Sequence, residues 1–338
     1  MSYAAIDIGS NAIRLVISTE PQGKSSILLL KQRLPIRLGA DVFFNGKISK
    51  KNLDQIVVIF KTFYKKMIEH KVTSYLAVAT SAFREASNKG VVIQEIFRKT
   101  NIKVQIIDGA TEARFIYQAV HHKMGKLPNH CLLVDIGGGS FEVTFVKNNQ
   151  PKSSKSFAIG TVRLLEILKK RKLKENQLPF LLLEHFAEVY TFIRDNKSKS
   201  SSPLFLIGTG GNVEAMGKLH RSFLQSKASK NLFKTDLDLL YNKVSQFTLK
   251  ERVDKLQLRK DRADVIIPAI LIIKLLMILS DASEFMIPHA GLKDGLLLAL
   301  MQKDSRNLKK QKQGNIRSDR QGSSLLYPAT QVHLIRNL

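Results

Sequence analysis

Residues 131–142 read Cys-Leu-Leu-Val-Asp-Ile-Gly-Gly-Gly-Ser-Phe-Glu, and residues 4–11 read Ala-Ala-Ile-Asp-Ile-Gly-Ser-Asn. Each is a short apolar run that ends in Asp-Ile-Gly and passes into a glycine-rich or polar turn. Apolar runs of this length, bounded by turn residues, read as buried β-strands. Residues 13–18 and 141–147 return as second strands, so each stretch predicts a β-hairpin, and residues 155–158 add a third strand to the later one. One unit occurring twice predicts a duplicated domain rather than a solenoid.

Working outward, strands and helices alternate. Residues 53–70 place Ile56, Ile59, Phe60, Phe63 and Met67 at helical spacing, and residues 111–122 do the same with Ala113, Ile116, Tyr117 and Val120. Residues 74–79, 104–107, 204–207 and 285–288 read as further strands. Residues 91–100, 213–219 and 291–301 read as helices, residues 82–88 as a turn opening a helix, and residues 237–255 as mostly helical. Gly125-Lys126-Leu127-Pro128 punctuates the two copies. The expected organisation is an α/β chain with domains at 1–125 and 126–303, followed by a basic, disordered tail at 304–338.

The chain has 338 residues, which suits two domains, and 44% are apolar, enough for a sizeable core. No run of about 18 uncharged apolar residues predicts a membrane span. The nearest candidate, residues 265–280, contains Pro268 and Lys274 and reads as a buried helix. The N-terminus enters a strand directly, so no secretory leader is expected. The single cysteine, Cys131, excludes an internal disulfide and a four-thiolate zinc site. A reducing, cytoplasmic location is expected. Lys and Arg number 54 against 28 Asp and Glu, a net charge of +26. Such a surface attracts polyanions, with nucleic acid only as a non-specific one, although a solubility bias gives the same number.

Three glycine-rich turns each follow an apolar strand: 7–11, 135–140 and 208–212. Glycine lets backbone N–H groups approach an anion with no side chain in the way, and the third turn opens a helix whose first amides favour phosphate. Gly9, Ser10, Asn11, Gly137, Gly138, Gly139, Ser140, Gly208, Gly210 and Gly211 are therefore candidate phosphate-binding residues. Asp7 and Asp135 end their strands. If the two halves pack as pseudo-symmetric partners, both face one cleft, where paired carboxylates suit Mg²⁺. The alternative is that each caps its own turn. Glu112 opens a helix, either as a dipole partner or as a general base. Glu142 either holds a metal or a water, or faces solvent. Arg84 follows a strand and can clamp phosphate. Arg14 and Arg163 read equally as surface residues. Cys131 reads as a core residue, and His121-His122 as a helix end without metal-ligand spacing. No Walker loop and no Gly-x-Ser-x-Gly elbow occurs, and the Phe residues form no nucleic-acid platform.

At these residues the chain resembles the exopolyphosphatase and guanosine pentaphosphate phosphohydrolase (Ppx/GppA) family. The matching stretches are Ala5 through Asn11, Thr80-Ser81-Ala82-Phe83-Arg84-Glu85-Ala86, Gly109 through Tyr117, Val134 through Glu142, Gly160-Thr161-Val162-Arg163-Leu164, Gly208 through Asn212 and Gly291-Leu292-Lys293-Asp294-Gly295. The resemblance implies two actin-like, ribonuclease H-like α/β domains with the active site in the cleft between them. It implies Mg²⁺-dependent hydrolysis of a terminal phosphoanhydride and a homodimer. Glu112 aligns with the catalytic glutamate that precedes Ala113-Arg114, and Glu142 falls with Asp135, Gly137 and Ser140 on the phosphate- and metal-binding motif. Asp7 through Asn11 fall on the first phosphate loop, and Gly208 to Gly211 on a further one. The implied metal ligands are Asp7, Asp135 and Glu142.

Thr111 stands where the family often has a second acid, Phe141 where Thr is common, and Asn212 where Thr or Ser is usual. The chain ends soon after its second half, so the extra C-terminal helical domains of longer members are not expected. Three readings follow. In the first, inorganic polyphosphate is shortened with release of orthophosphate. In the second, guanosine pentaphosphate (pppGpp) is hydrolysed by the same chemistry. In the third, a weakly catalytic protein senses polyphosphate or a nucleotide.

Overall fold

Ser2–Ile8 form β1, and every residue of it after the first is buried. A strand this uniformly apolar belongs inside a sheet covered on both faces. The structure, a computed structural model, describes residues 1–19, 27–197, 204–224, 231–312 and 327–328. Its chain divides into two compact units.

The first unit comprises Met1–Leu38, Asn45–Asp108 and Leu292–Leu338. In it β1 pairs antiparallel with β2 (Ala12–Thr19), which pairs antiparallel with β3 (Leu28–Pro35). On its other side β1 runs parallel to β4 (Val72–Ala79), and β4 runs parallel to β5 (Val104–Ile106). The two-residue strand Tyr327–Pro328 also pairs with β4. The helix Lys50–Glu69 starts at Ser49, whose hydroxyl accepts the Asn52 amide. It buries Ile56, Ile59, Phe60, Phe63 and Met67, the five residues whose spacing predicts the helix.

The second unit comprises Gly39–Phe44 and Gly109–Gly291. It repeats the pattern. An antiparallel meander of β6 (His130–Ile136), β7 (Phe141–Lys147) and β8 (Gln150–Phe157) is extended on the β6 side by parallel β9 (Phe205–Thr209). Beyond β9 lie β10 (Asn231–Phe233) and β11 (Glu284–Met286), in the sheet order β10-β11-β9-β6-β7-β8. The duplication read from the two Asp-Ile-Gly stretches is thus a duplication of topology.

The helix Ile266–Ser280 is the apolar segment of the sequence, and it is core. Eleven of its residues are buried, and Lys274 reaches out to Asp238 at 2.6 Å. Pro268 sits in its first turn, where a missing N–H costs no helical hydrogen bond. Phe141, which departs from the family pattern, is also core. It is fully buried, with ring centroids 5.3 Å from Phe157 and 5.8 Å from Phe186.

Several expectations are corrected. The units do not divide at 125/126: the helix Gly109–Met124 belongs to the second unit, and the chain returns to the first at Leu292. The last helix runs Leu292–Lys312, past the start of the expected tail at 304. Most of that tail, residues 313–326 and 329–338, lies outside the described residues. Residues 237–255 are mostly helical, as expected, in two helices, Lys234–Ser245 and Leu249–Asp254, because Thr248 starts the second with a capping box to Glu251.

Candidate active site

Four strands of the second unit place four polar side chains in one register row. Thr209 on β9 lies beside Asp135 on β6, Asp135 is opposite Glu142 on β7, and Glu142 is opposite Ser156 on β8. Residues directly opposite in a sheet share a face, so the row is continuous. Hydroxyls flank both acids. Thr209 Oγ1 donates to Asp135 Oδ1. Glu142 Oε1 accepts from Ser140 Oγ at 2.8 Å and from Ser156 Oγ at 2.7 Å. Glu142 is 2% exposed, so the solvent-facing reading of this residue is corrected.

Glu112 joins the row from the helix Gly109–Met124. It lies in the first turn, where the helix dipole favours an anion, and is 6% exposed. Gly109 brings the helix in. A Cβ at this position would lie 2.8 Å from Ser156 Oγ and would overlap the Ser156 Cβ, so no other residue allows this approach. Farther along the helix, Tyr117 Oη donates to the Asn149 carbonyl at 2.8 Å, in the tight turn between β7 and β8. Glu112, Asp135 and Glu142 each offer an oxygen within 4.8 Å of the others. Three carboxylates so close, with Glu112 and Glu142 buried and Asp135 half-buried, repel one another strongly unless a cation joins them. All-oxygen donors without His or Cys suit a hard divalent cation such as Mg²⁺.

The glycine turn 137–139 is held from behind. The amides of Thr161, Val162 and Arg163, which begin the helix Thr161–Lys170, donate to the carbonyls of Gly137 and Gly138 at 2.8–3.1 Å. Gly160 N and Arg163 Nε both donate to the Gly139 carbonyl, at 3.1 and 2.8 Å. Gly160 has no room for a side chain, since a Cβ there would overlap the Gly138–Gly139 peptide. With their carbonyls engaged, the Gly138 and Gly139 amides have no acceptor among the described residues. Two such N–H groups are chemically suited to accept a phosphoryl oxygen. Arg163, read as a surface residue, instead lies with its guanidinium 3.9 Å from the Phe43 ring centroid and braces this turn.

The third turn is tied to the second. Asn212 Nδ2 donates to Thr161 Oγ1 at 3.1 Å, and Asn212 Oδ1 accepts from the buried Arg262. Arg262 also occupies the space over Gly211. Gly210 has φ +97°, which favours glycine. Gly208 lies inside β9, and the Phe285 ring fills the place of its side chain. Gly208 thus stands in the strand rather than in the turn, and packing requires it to be glycine. Asn212 binds within the protein, which accounts for a longer side chain than Ser or Thr.

The remaining candidates belong to the first unit. Gly9 N donates to the Ala12 carbonyl at 3.1 Å, the counterpart of the 3.0 Å bond from Gly137 N to the Ser140 carbonyl. Ser10 and Asn11 are buried, and Asn11 Oδ1 accepts from Arg37 Nε at 3.2 Å. Half-buried Arg84 donates to the Ile107 carbonyl at 3.0 Å. Asp7 is opposite Arg14 in the β1–β2 ladder and is ion-paired to it. The acidic cluster is made without Asp7. Thr209, Ser156, Gly109, Gly160, Thr161, Arg163 and Arg262 support the site without being among the residues that the sequence alone marks as candidates. The Gly160 to Leu164 stretch is a visible signal in the sequence, whereas Ser156 and Arg262 carry none. Cys131, fully buried on β6, has its thiol pushed up to about 12 by burial and is no nucleophile.

The model of the Ppx/GppA phosphatase family matches residues 16–304. Exopolyphosphatase 1 of Mycobacterium tuberculosis is 29% identical over 164 residues, 48% of this chain and 48% of that protein. Exopolyphosphatase 1 of Mycobacterium leprae is 28% identical over the same length. The match thus spans about half the length of these curated relatives. Among solved structures, an exopolyphosphatase from Cytophaga hutchinsonii is similar with a TM-score of 0.79 at 25% identity, covering 90% of this chain and 98% of that one. A Ppx/GppA family member from Aquifex aeolicus is similar with a TM-score of 0.69 at 25% identity, with the same coverages.

Proposed function

The chain belongs to the Ppx/GppA phosphatase family, and on that premise we propose that it hydrolyses the terminal phosphoanhydride of inorganic polyphosphate and releases orthophosphate. The observation that carries the proposal is the group of three carboxylates, Glu112 and Glu142 buried and Asp135 half-buried, whose oxygens lie within 4.8 Å of one another, with Asp135 followed in sequence by the glycine turn 137–139. The names of the mycobacterial and Cytophaga relatives favour polyphosphate as the substrate. The +26 charge supports a long polyanion.

In this reading Asp135 and Glu142 hold Mg²⁺. When bound, the ion supplies positive charge to phosphoryl oxygens that gain negative charge during phosphoryl transfer. Glu112 accepts the proton of the water that attacks the terminal phosphorus. The Gly138 and Gly139 amides donate to the oxygens of that phosphoryl group, and Ser140 keeps Glu142 oriented. For Gly9, Ser10, Asn11 and Arg84 of the first unit, and for Gly210 and Gly211, a role in holding substrate phosphates rests on the family resemblance. So do the homodimer and the cytoplasmic location.

The test is phosphate release from short polyphosphate, long polyphosphate and pppGpp, side by side, with and without Mg²⁺. The proposal expects Mg²⁺-dependent release, fastest from polyphosphate. Preferred hydrolysis of pppGpp would overturn the substrate, and release undiminished by chelation would overturn the metal.

A further inference from the structure

Ser156 touches both elements bearing the outer members of the acidic cluster. It stands opposite Glu142 in the β7–β8 ladder and donates to Glu142 Oε1 at 2.7 Å. It is also the surface on which the helix of Glu112 rests, because Gly109 has no room for a side chain against it. The second donor to Glu142 Oε1, Ser140, comes from the turn at the other end of β7 from the β8 connection. Two hydroxyls converging on one oxygen fix the rotation of the carboxylate about its last bond and engage that oxygen with charge-assisted hydrogen bonds.

We propose that Ser156 is a positioning residue of the metal centre: it orients Glu142 and sets the distance at which the helix of Glu112 stands from β7. This role rests on the reading that Glu112, Asp135 and Glu142 surround a divalent cation. It reaches beyond that reading, because Ser156 is neither a ligand nor part of either glycine turn. Carboxylate ligands are commonly held by hydrogen bonds of this kind, and their removal typically weakens metal binding by about 10- to 100-fold. The alternative is a serine that only fills space in β8. A space-filling serine, replaced by alanine with its Cβ kept, leaves metal affinity unchanged.

The experiment uses the full chain without substrate and titrates it with Mn²⁺ as a paramagnetic probe. The wild type, Ser156→Ala and Glu142→Gln are compared, with melting temperatures for each and with kcat and KM at saturating Mg²⁺. The expected result is Mn²⁺ affinity reduced about 10-fold in Ser156→Ala, at an unchanged melting temperature and an unchanged KM for polyphosphate. Should destabilisation accompany the alanine, Ser156→Cys keeps the volume with a weak donor, and it is expected to bind Mn²⁺ as poorly. Wild-type affinity in either variant overturns the role of Ser156 and leaves the metal centre standing. Failure of the wild type to bind Mn²⁺, or equal binding by Glu142→Gln, overturns the metal centre and this role with it.

Discussion

Glu142 stands directly opposite Asp135 in the β6–β7 ladder, so two carboxylates occupy one face of the sheet at a single register position. Like charges placed opposite each other destabilise a hairpin. The duplicated hairpin of the first unit resolves the same position differently. There Asp7 is opposite Arg14, and the pair neutralises itself. In the second copy both positions carry acids, and Glu112 brings a third within 4.8 Å, a donor set that could hold a divalent cation.

That difference is measurable. Glu142→Gln and Asp135→Asn are expected to weaken Mn²⁺ binding by about 100-fold or more. Asp7→Asn is expected to leave Mn²⁺ affinity within about twofold and to cost about 1–3 kcal/mol of stability through loss of its charged hydrogen bond. Metal titration and denaturant melts on the three variants separate these effects. A loss of Mn²⁺ binding in Asp7→Asn equal to that in Asp135→Asn would contradict the division.

Gly109→Ala places a methyl group against Ser156, between the helix of Glu112 and β8. Overpacking of this kind costs about 1–3 kcal/mol. A displacement near 1 Å at a catalytic group costs about 100-fold in rate. The expected outcome is a folded protein with a lowered melting temperature and kcat reduced at least 10-fold, read from phosphate release. Unchanged kcat would show that the helix does not depend on this contact.

Arg163→Lys keeps the charge and loses both the Nε donor to the Gly139 carbonyl and the planar contact with Phe43. The Gly138 and Gly139 amides are then less firmly presented. We expect KM for polyphosphate to rise several-fold, with little change in Mn²⁺ affinity, since the hydroxyls that flank Asp135 and Glu142 come from Thr209, Ser140 and Ser156. Steady-state kinetics together with metal titration check this, and an equal fall in both affinities would contradict it.

Burial raises the Cys131 thiol from 9.0 to about 12, so its thiolate is favoured in the unfolded chain. The stability that this residue contributes is complete below pH 9 and is lost as the pH rises toward 12. Native protein at pH 8 is expected to resist alkylation by iodoacetamide and to react fully once unfolded in denaturant. Mass spectrometry of both samples tests it, and rapid native labelling would contradict the burial.

Much of this architecture is legible in the sequence because its signals are local. The Asp-Ile-Gly stretches announce the two hairpins, and the spacing of Ile56 to Met67 announces a helix whose buried face is made of those residues. Asp135, Glu142 and Glu112 stand out as acids next to turns or at a helix start. What stays hidden depends on contacts between distant segments. Ser156 is one serine in a polar strand until β8 pairs with β7 and brings it to Glu142. Arg163 reads as a surface residue until its helix start closes over the glycine turn. Gly208 looks like its neighbours in sequence, but the Phe285 ring, from a strand far along the chain, claims its space. The boundary at 125/126 fails for a related reason: Gly125 and Pro128 mark a real turn, yet the helix before it packs on β7 and β8 rather than on the strands that precede it.

The most direct test of the central claim is the rate of phosphate release from polyphosphate by Glu112→Gln beside the wild type, at saturating Mg²⁺. Glutamine keeps the shape of the side chain and cannot take the proton from water. The account predicts kcat lowered by about 100- to 10,000-fold, with polyphosphate binding and the melting temperature unchanged. Equal release by the two proteins would contradict it.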